Sequence, residues 1–279
     1  MLRPARLCLL LVGAVLVAHR GWAQAFQGAV TLRSIRTSAA SLTEDEQLAP
    51  DKVFGVPLEQ ILSKARAGEL RVEAETTVIE LKGSRMRSRT SAMLGANEMY
   101  VLADLQTGVF RSVAPSQRLY TEWTAADLKK MVAEMKKLAS DSGATEPAGA
   151  ALKFEQLGTT KVVAGLRCTG YRYTSGSTTG MGWLTKDLAD VATAFQRMID
   201  LVPGGEGRGK TNPWAALARF GFPCFAQQLE TQEGEGEAGR GGLDYEITEL
   251  LSVERRPVTD DRFVVPAGFR KMTMPMTPP

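Results

Sequence analysis

The chain has 279 residues, 44 % of them hydrophobic and 23 % charged, with 34 basic residues, 31 acidic residues, one histidine and three cysteines. That length and balance exclude a disordered, collagenous or disulfide-framework chain and point to a globular protein that buries a full core unaided. The net charge of +3 is too small to mark a nucleic-acid-binding surface.

Residues 1–25 read as a secretory signal peptide. Arg3 and Arg6 give a basic start, an apolar run follows over 7–18, and Ala23-Gln24-Ala25 is the small-x-small pattern that precedes cleavage. The run is shorter than the roughly 20 residues a membrane-spanning helix needs, so the mature chain is expected to begin at Phe26 and not to span a membrane. Periplasmic or extracellular localisation follows. Cleavage takes His19, the sole histidine, which removes Ser-His-Asp and Cys-His catalysis and the usual zinc sites; no cofactor and no metal is expected. It also takes Arg3, Arg6 and Arg20, which brings the basic residues level with the 31 acidic ones.

Residues 26–279 are expected to form a single domain. A helix is predicted over 57–67, with Pro57 in its first turn, Gly68 as its stop and Leu58, Ile61, Leu62 and Ala65 on one face. From Glu69 the pattern turns to short strands: 69–82 and 85–92 across Gly83-Ser84, then 98–103, 108–113 and 118–123, an antiparallel meander. A second helix over 125–138 opens with Thr124 and Asp127 as a capping box and stripes Leu128, Met131, Val132, Met135 and Leu138. Strands are predicted at 153–157, 162–173 and 182–184. A third helix over 186–202 carries Leu188, Val191, Phe195, Met198 and Val202. A short turn over 213–220 and strands at 224–232, 243–254 and 263–265 complete the reading. Mobile loops are expected at about 140–151, 204–212 and 233–242, where the chain is small, polar or Gly-Glu rich.

Cys168 and Cys224 remain after cleavage as an isolated pair in a chain bound for an oxidising compartment, which predicts a disulfide; two buried thiols are the alternative. Closing that loop would constrain the unfolded chain by about 4 kcal/mol.

Gly204-Gly205-Glu206-Gly207-Arg208-Gly209-Lys210-Thr211 matches the phosphate-loop pattern letter for letter. The context is wrong: a helical stripe precedes it where a buried strand is required, and Pro213 follows at once. No nucleotide is expected. Arg85, Arg87 and Arg89 share one face of their strand and read as a surface stripe paired with acids such as Glu73, Glu75 and Glu80, ahead of an anion site. The methionines serve better as adaptable apolar packing than as Cu(I) ligands. Leu128, Met131, Met135, Trp183, Phe195, Met198 and Trp214 are the candidate lining of a ligand groove; packing core is the alternative.

Gly158-Thr159-Thr160-Lys161-Val162-Val163-Ala164-Gly165-Leu166-Arg167-Cys168, Tyr171, Trp183-Leu184-Thr185-Lys186-Asp187-Leu188 and Gly221-Phe222-Pro223 follow one another along the chain. Asp261-Arg262-Phe263-Val264-Val265-Pro266-Ala267-Gly268-Phe269 closes the pattern, and Pro115-Ser116-Gln117-Arg118-Leu119-Tyr120 lies upstream. Together these resemble an uncharacterised family of exported bacterial proteins known only as a domain of unknown function. That family is similar in architecture to periplasmic lipoprotein carriers of the LolA and LppX kind. The resemblance implies an α+β fold, a curved antiparallel half-barrel with about three helices on its concave face, holding acyl chains between sheet and helices, and it transfers no catalytic residue. The expected function is therefore a non-enzymatic protein binding a hydrophobic or lipidic small molecule. A structural module of the cell envelope that binds another protein is the alternative.

Overall fold

The computed structural model describes residues 26–42, 49–91, 99–141, 153–175, 178–201, 217–231 and 243–273. Strand β1 (Gln27–Ser38) lies inside the sheet, between β2 (Val72–Lys82) and β11 (Leu243–Arg255). Beyond β2 the meander continues through β3 (Arg85–Thr90), β4 (Tyr100–Asp104), β5 (Val109–Ala114) and β6 (Leu119–Thr124). Beyond β11 the sheet runs through β10 (Phe222–Thr231), β9 (Thr178–Thr185) and β8 (Leu166–Ser175) to the edge strand β7 (Lys153–Val163). These neighbours are all antiparallel; the two-residue β12 (Arg270–Lys271) joins β6 in parallel. Among the described residues the sheet has 12 strands and is open, with β7 and β12 at its two ends.

Among the described residues four α-helices accompany it: α1 (Pro50–Phe54), α2 (Leu58–Arg66), α3 (Ala125–Asp141) and α4 (Ala189–Leu201). None is long and apolar enough to cross a membrane. The capping box at the start of α3 forms as the spacing predicts. The backbone N–H of Thr124 donates to Asp127 Oδ2 at 2.8 Å, and that of Asp127 to Thr124 Oγ1 at 3.1 Å. The helix runs to Asp141, so residues 140 and 141 are helical where a loop was expected. The rest of that loop, and the loops at 204–212 and 233–242, lie outside the described residues, as does the leader.

Register explains the core. Cross-strand pairing places Leu81, Met86, Ala103, Phe110 and Trp123 in one row, and all five belong to the main apolar cluster. Against the same cluster pack Leu128 of α3 and Phe195, Met198 and Leu201 of α4.

The chain beyond β11 returns across the other face of the meander. Gln27 donates to the carbonyl of Val258, Lys82 and Arg85 both reach Asp260 at 2.6 Å, and Arg262 reaches Glu80. Val265 and Phe269 then pack on Tyr100, Leu102 and Val113. This strap corrects the expected strand at 263–265: Asp260–Phe263 is a single 3-10 turn. Phe263 is buried there as a peg, and the paired strand comes later, at β12.

Three further departures have local causes. The expected strand over 162–173 is two strands, because Ala164 (φ 48°) and Gly165 (φ 77°) make a tight reversal inside an apolar run that has no polar turn residue to mark it. β1 shows period-two alternation only over its last four residues, since Gly28, Ala29 and Val30 are all buried in a strand flanked on both sides. α1, five residues long, is too short to show a helical stripe.

Candidate ligand groove

Between α1 and α4 one sheet face carries four successive cross-strand rows. In the first, Phe222 pairs with Thr185, and Phe195 of α4 meets Phe222 edge-on at 5.2 Å. In the fourth, Leu229 pairs with Tyr245, against which Phe54 of α1 packs at 6.2 Å. The second and third rows lie between these helix contacts.

The second row joins Trp183, Phe225, Glu249 and Arg33. Trp183 meets Phe225 edge-on at 5.6 Å, and the Lys161 ammonium sits 4.2 Å from the Phe225 ring centroid and 5.1 Å from that of Trp183. Arg33 donates to Glu249 at 2.5 Å. The third row joins Arg172, Met181, Gln227, Ile247 and Ile35. Arg172 reaches back to Asp51 of α1 at 2.7 Å.

Buried polar atoms without a hydrogen-bond partner are few in folded proteins. Among the described residues they are Arg33 Nε, Arg172 Nε, Gln227 Oε1 and the Tyr245 hydroxyl, and all four side chains lie on these rows. Burial pushes the Tyr245 hydroxyl well above the ordinary tyrosine range.

The cysteines stand beside the first row. Cys168 on β8 and Cys224 on β10 are fully buried free thiols, with β9 between their strands. A bulge between Pro223 and Phe225 falls at Cys224 and re-aims it. The two thiols interact: the contact with Cys224 holds Cys168 below the ordinary thiol range against its burial, while the contact with Cys168, together with burial, pushes Cys224 up.

Of the expected groove residues, Leu128, Trp183, Phe195 and Met198 come together around one apolar cluster. Met131 is 42 % exposed. The Met135 side chain and Trp214 lie outside the described residues. The phosphate-loop match does too, but the described segment before it is helix α4, where a phosphate loop requires a strand. Arg87 pairs with Glu80 on the neighbouring strand, as the stripe reading expects, but the pair is buried where a surface stripe was expected. Sequence reasoning missed Lys161, Arg172 and Gln227. Their one available signal was that they share a face of their strands with Trp183, which only the register reveals.

A crevice on the sheet lined by Tyr173, Ala226, Gln227, Gln228, Glu246 and Thr248 has no room for even a water-sized molecule, so it is no ligand pocket.

Fold and site together define an open antiparallel-sheet α+β protein with an apolar, cation-flanked strip between two helices. The chain belongs to the family described as "Domain of unknown function (DUF4412)", whose model matches residues 69–269. No curated protein matches it. Among solved structures it is similar to PNGF-II in two crystal forms, at 8 % and 9 % identity with TM-scores of 0.34 and 0.35. Each alignment covers 88 % of this chain but only 31 % and 30 % of PNGF-II, so this chain spans about a third of that protein's length. A DUF1329 family protein from Desulfovibrio piger aligns over 90 % of this chain and 95 % of its own, at 8 % identity and a TM-score of 0.28. Likenesses this distant carry no argument about site or substrate.

Proposed function

We propose that this is an exported, non-enzymatic carrier that holds a hydrophobic or lipidic molecule between sheet and helices, in a curved half-barrel of the LolA kind. One observation carries the reading: Trp183, Phe225 and Met181 form an apolar strip between the contacts of α1 and α4 with the sheet. The leader-like first 25 residues and the histidine-free remainder support export and binding over catalysis. The test is uptake of a fluorescent fatty acid by delipidated protein, with Met198→Glu as the variant. Uptake that this variant abolishes, in a protein that still folds, supports the carrier; no uptake by the unmodified protein sinks it.

An envelope module that binds another protein is the second reading. The close ring contacts of Phe195 on Phe222 and Phe54 on Tyr245 favour it, because they belong to helices packed onto the sheet as core.

A further inference from the structure

We infer that the strip between α1 and α4 takes a single-chain anionic amphiphile, with a carboxylate head held by Arg172 and Gln227 and its hydrocarbon chain lying over Trp183 and Phe225. The inference rests on the carrier reading and specifies its ligand.

The register places the head. Arg172, Met181 and Gln227 are consecutive cross-strand neighbours on β8, β9 and β10, so a guanidinium and a carboxamide flank one thioether. Each strand step is roughly 4.8 Å, which sets Arg172 and Gln227 about 10 Å apart at the backbone, a span their side chains close around a carboxylate. Gln227 is 5 % exposed and its side-chain oxygen has no partner; neither has Arg172 Nε. The carboxamide oxygen is an acceptor, so an acidic head would pair with Arg172 Nε directly and with Gln227 only once the carboxamide turns over to present its NH2. The one acid paired with Arg172 among the described residues, Asp51, is 69 % exposed and leaves Nε free. An ion pair of that exposure holds the guanidinium weakly.

The neighbouring row suits the chain. Two residues along each strand from Met181 and Gln227 stand Trp183 and Phe225, and both belong to the apolar cluster. On β8 the residue paired with Trp183 is Gly170. A Cβ there would lie 3.0 Å from Thr159 Oγ1 and 3.2 Å from Trp183 Nε1, so the glycine gives the indole its seat and keeps the strip low. Met181, flexible and only partly buried, is the side chain that yields to admit a ligand. Lys161, whose ammonium lies over both rings, must swing aside as the chain settles there, and its charge then adds positive potential beside the head. A cationic amphiphile would meet Arg172 and Lys161 with like charge, and a neutral one would leave Arg172 Nε unpaired.

The test is isothermal titration of delipidated protein with laurate and with 1-dodecanol, which share a chain length and differ in the head. Laurate should bind more tightly by about tenfold, the worth of a charge-assisted hydrogen bond. Arg172→Gln should erase that preference while leaving dodecanol affinity unchanged. Asp51→Ala, which frees Arg172 and touches nothing on the strip, should keep or sharpen the preference. Equal affinity for the two probes, or a preference that survives Arg172→Gln, overturns the inference and leaves the carrier reading standing. Binding of neither probe removes both. Should Arg172→Gln fail to fold, Gln227→Glu decides: a second carboxylate at the head must weaken laurate selectively, and unchanged laurate binding overturns the assignment.

Discussion

Arg262 donates to a Glu80 carboxylate oxygen at 2.7 Å, which ties the strap after β11 to strand β2, 182 residues earlier in the chain. Arg87 reaches the same carboxylate at 3.0 Å and Arg256 at 3.3 Å. Burial alone would raise the Glu80 carboxyl, but hydrogen bonds from Arg262 and Arg87 outweigh it and hold the group below the ordinary carboxylate range.

Glu80→Ala leaves Arg87, 11 % exposed, without its partner and unpins the strap. Removing one member of a buried ion pair typically costs about 3 kcal/mol or more, so chemical denaturation should show a loss of that order. A loss under about 1 kcal/mol would place the cluster with ordinary surface pairs. The pH dependence has a fixed sign. Because the folded pKa is depressed, the contribution is complete above the unfolded carboxylate value of about 4.3 and disappears as pH falls through the folded value. Wild type should therefore lose more stability than Glu80→Ala on acidification below that point.

Tyr245→Phe should stabilise the protein by about 1 kcal/mol, since it removes a buried hydroxyl that has no partner while keeping the ring against Phe54. The measurement is the melting temperature of the two proteins at neutral pH. A clear fall would show that the hydroxyl is satisfied in solution.

Gly180→Val should be among the most damaging single changes in the sheet. A Cβ at Gly180 would stand 2.2 Å from the Tyr173 ring and 2.7 Å from the Gln227 carbonyl oxygen, and Tyr173 is fully buried with nowhere to go. Overpacking of this kind costs about 1–3 kcal/mol. Stability equal to wild type would mean that Tyr173 does not lie across β9.

Cys168 and Cys224 should be joined in exported protein, the two thiols giving up two electrons and two protons to an external disulfide as the S–S bond forms. The structure holds them as free thiols two strands apart, so the pairing requires the backbone to move at the Cys224 bulge. Thiol titration of denatured, unreduced protein should find none. Two reactive thiols per chain would show that they remain a buried pair.

What could be read from the sequence divides along physical lines. The meander from β2 to β6 was legible because its described turns carry their own chemistry, as at Gly83-Ser84 and Pro115-Ser116. Helices α2, α3 and α4 were legible because each has a one-sided apolar stripe. β1 was not, because its first half, buried between two other strands, loses its alternation and only Ile35 to Ser38 keep it. The β7–β8 reversal was not, because its turn residues are Ala164 and Gly165 in an apolar run. The apolar half of the candidate site, Trp183 and Phe195, could be named from the helical and strand patterns. Its polar half could not, since Arg172 and Gln227 meet across β9 only through pairings between strands 55 residues apart in sequence, the separation at which Tyr173 and Gln228 also touch.

The most direct test of the carrier reading is native mass spectrometry of the mature protein purified gently from the exporting cell. The account predicts a population heavier than the bare chain by the mass of an acidic lipid or fatty acid, released on organic extraction and restored when laurate is added back. Bare chain alone before and after that addition would contradict it and leave the protein-binding module as the reading of this fold.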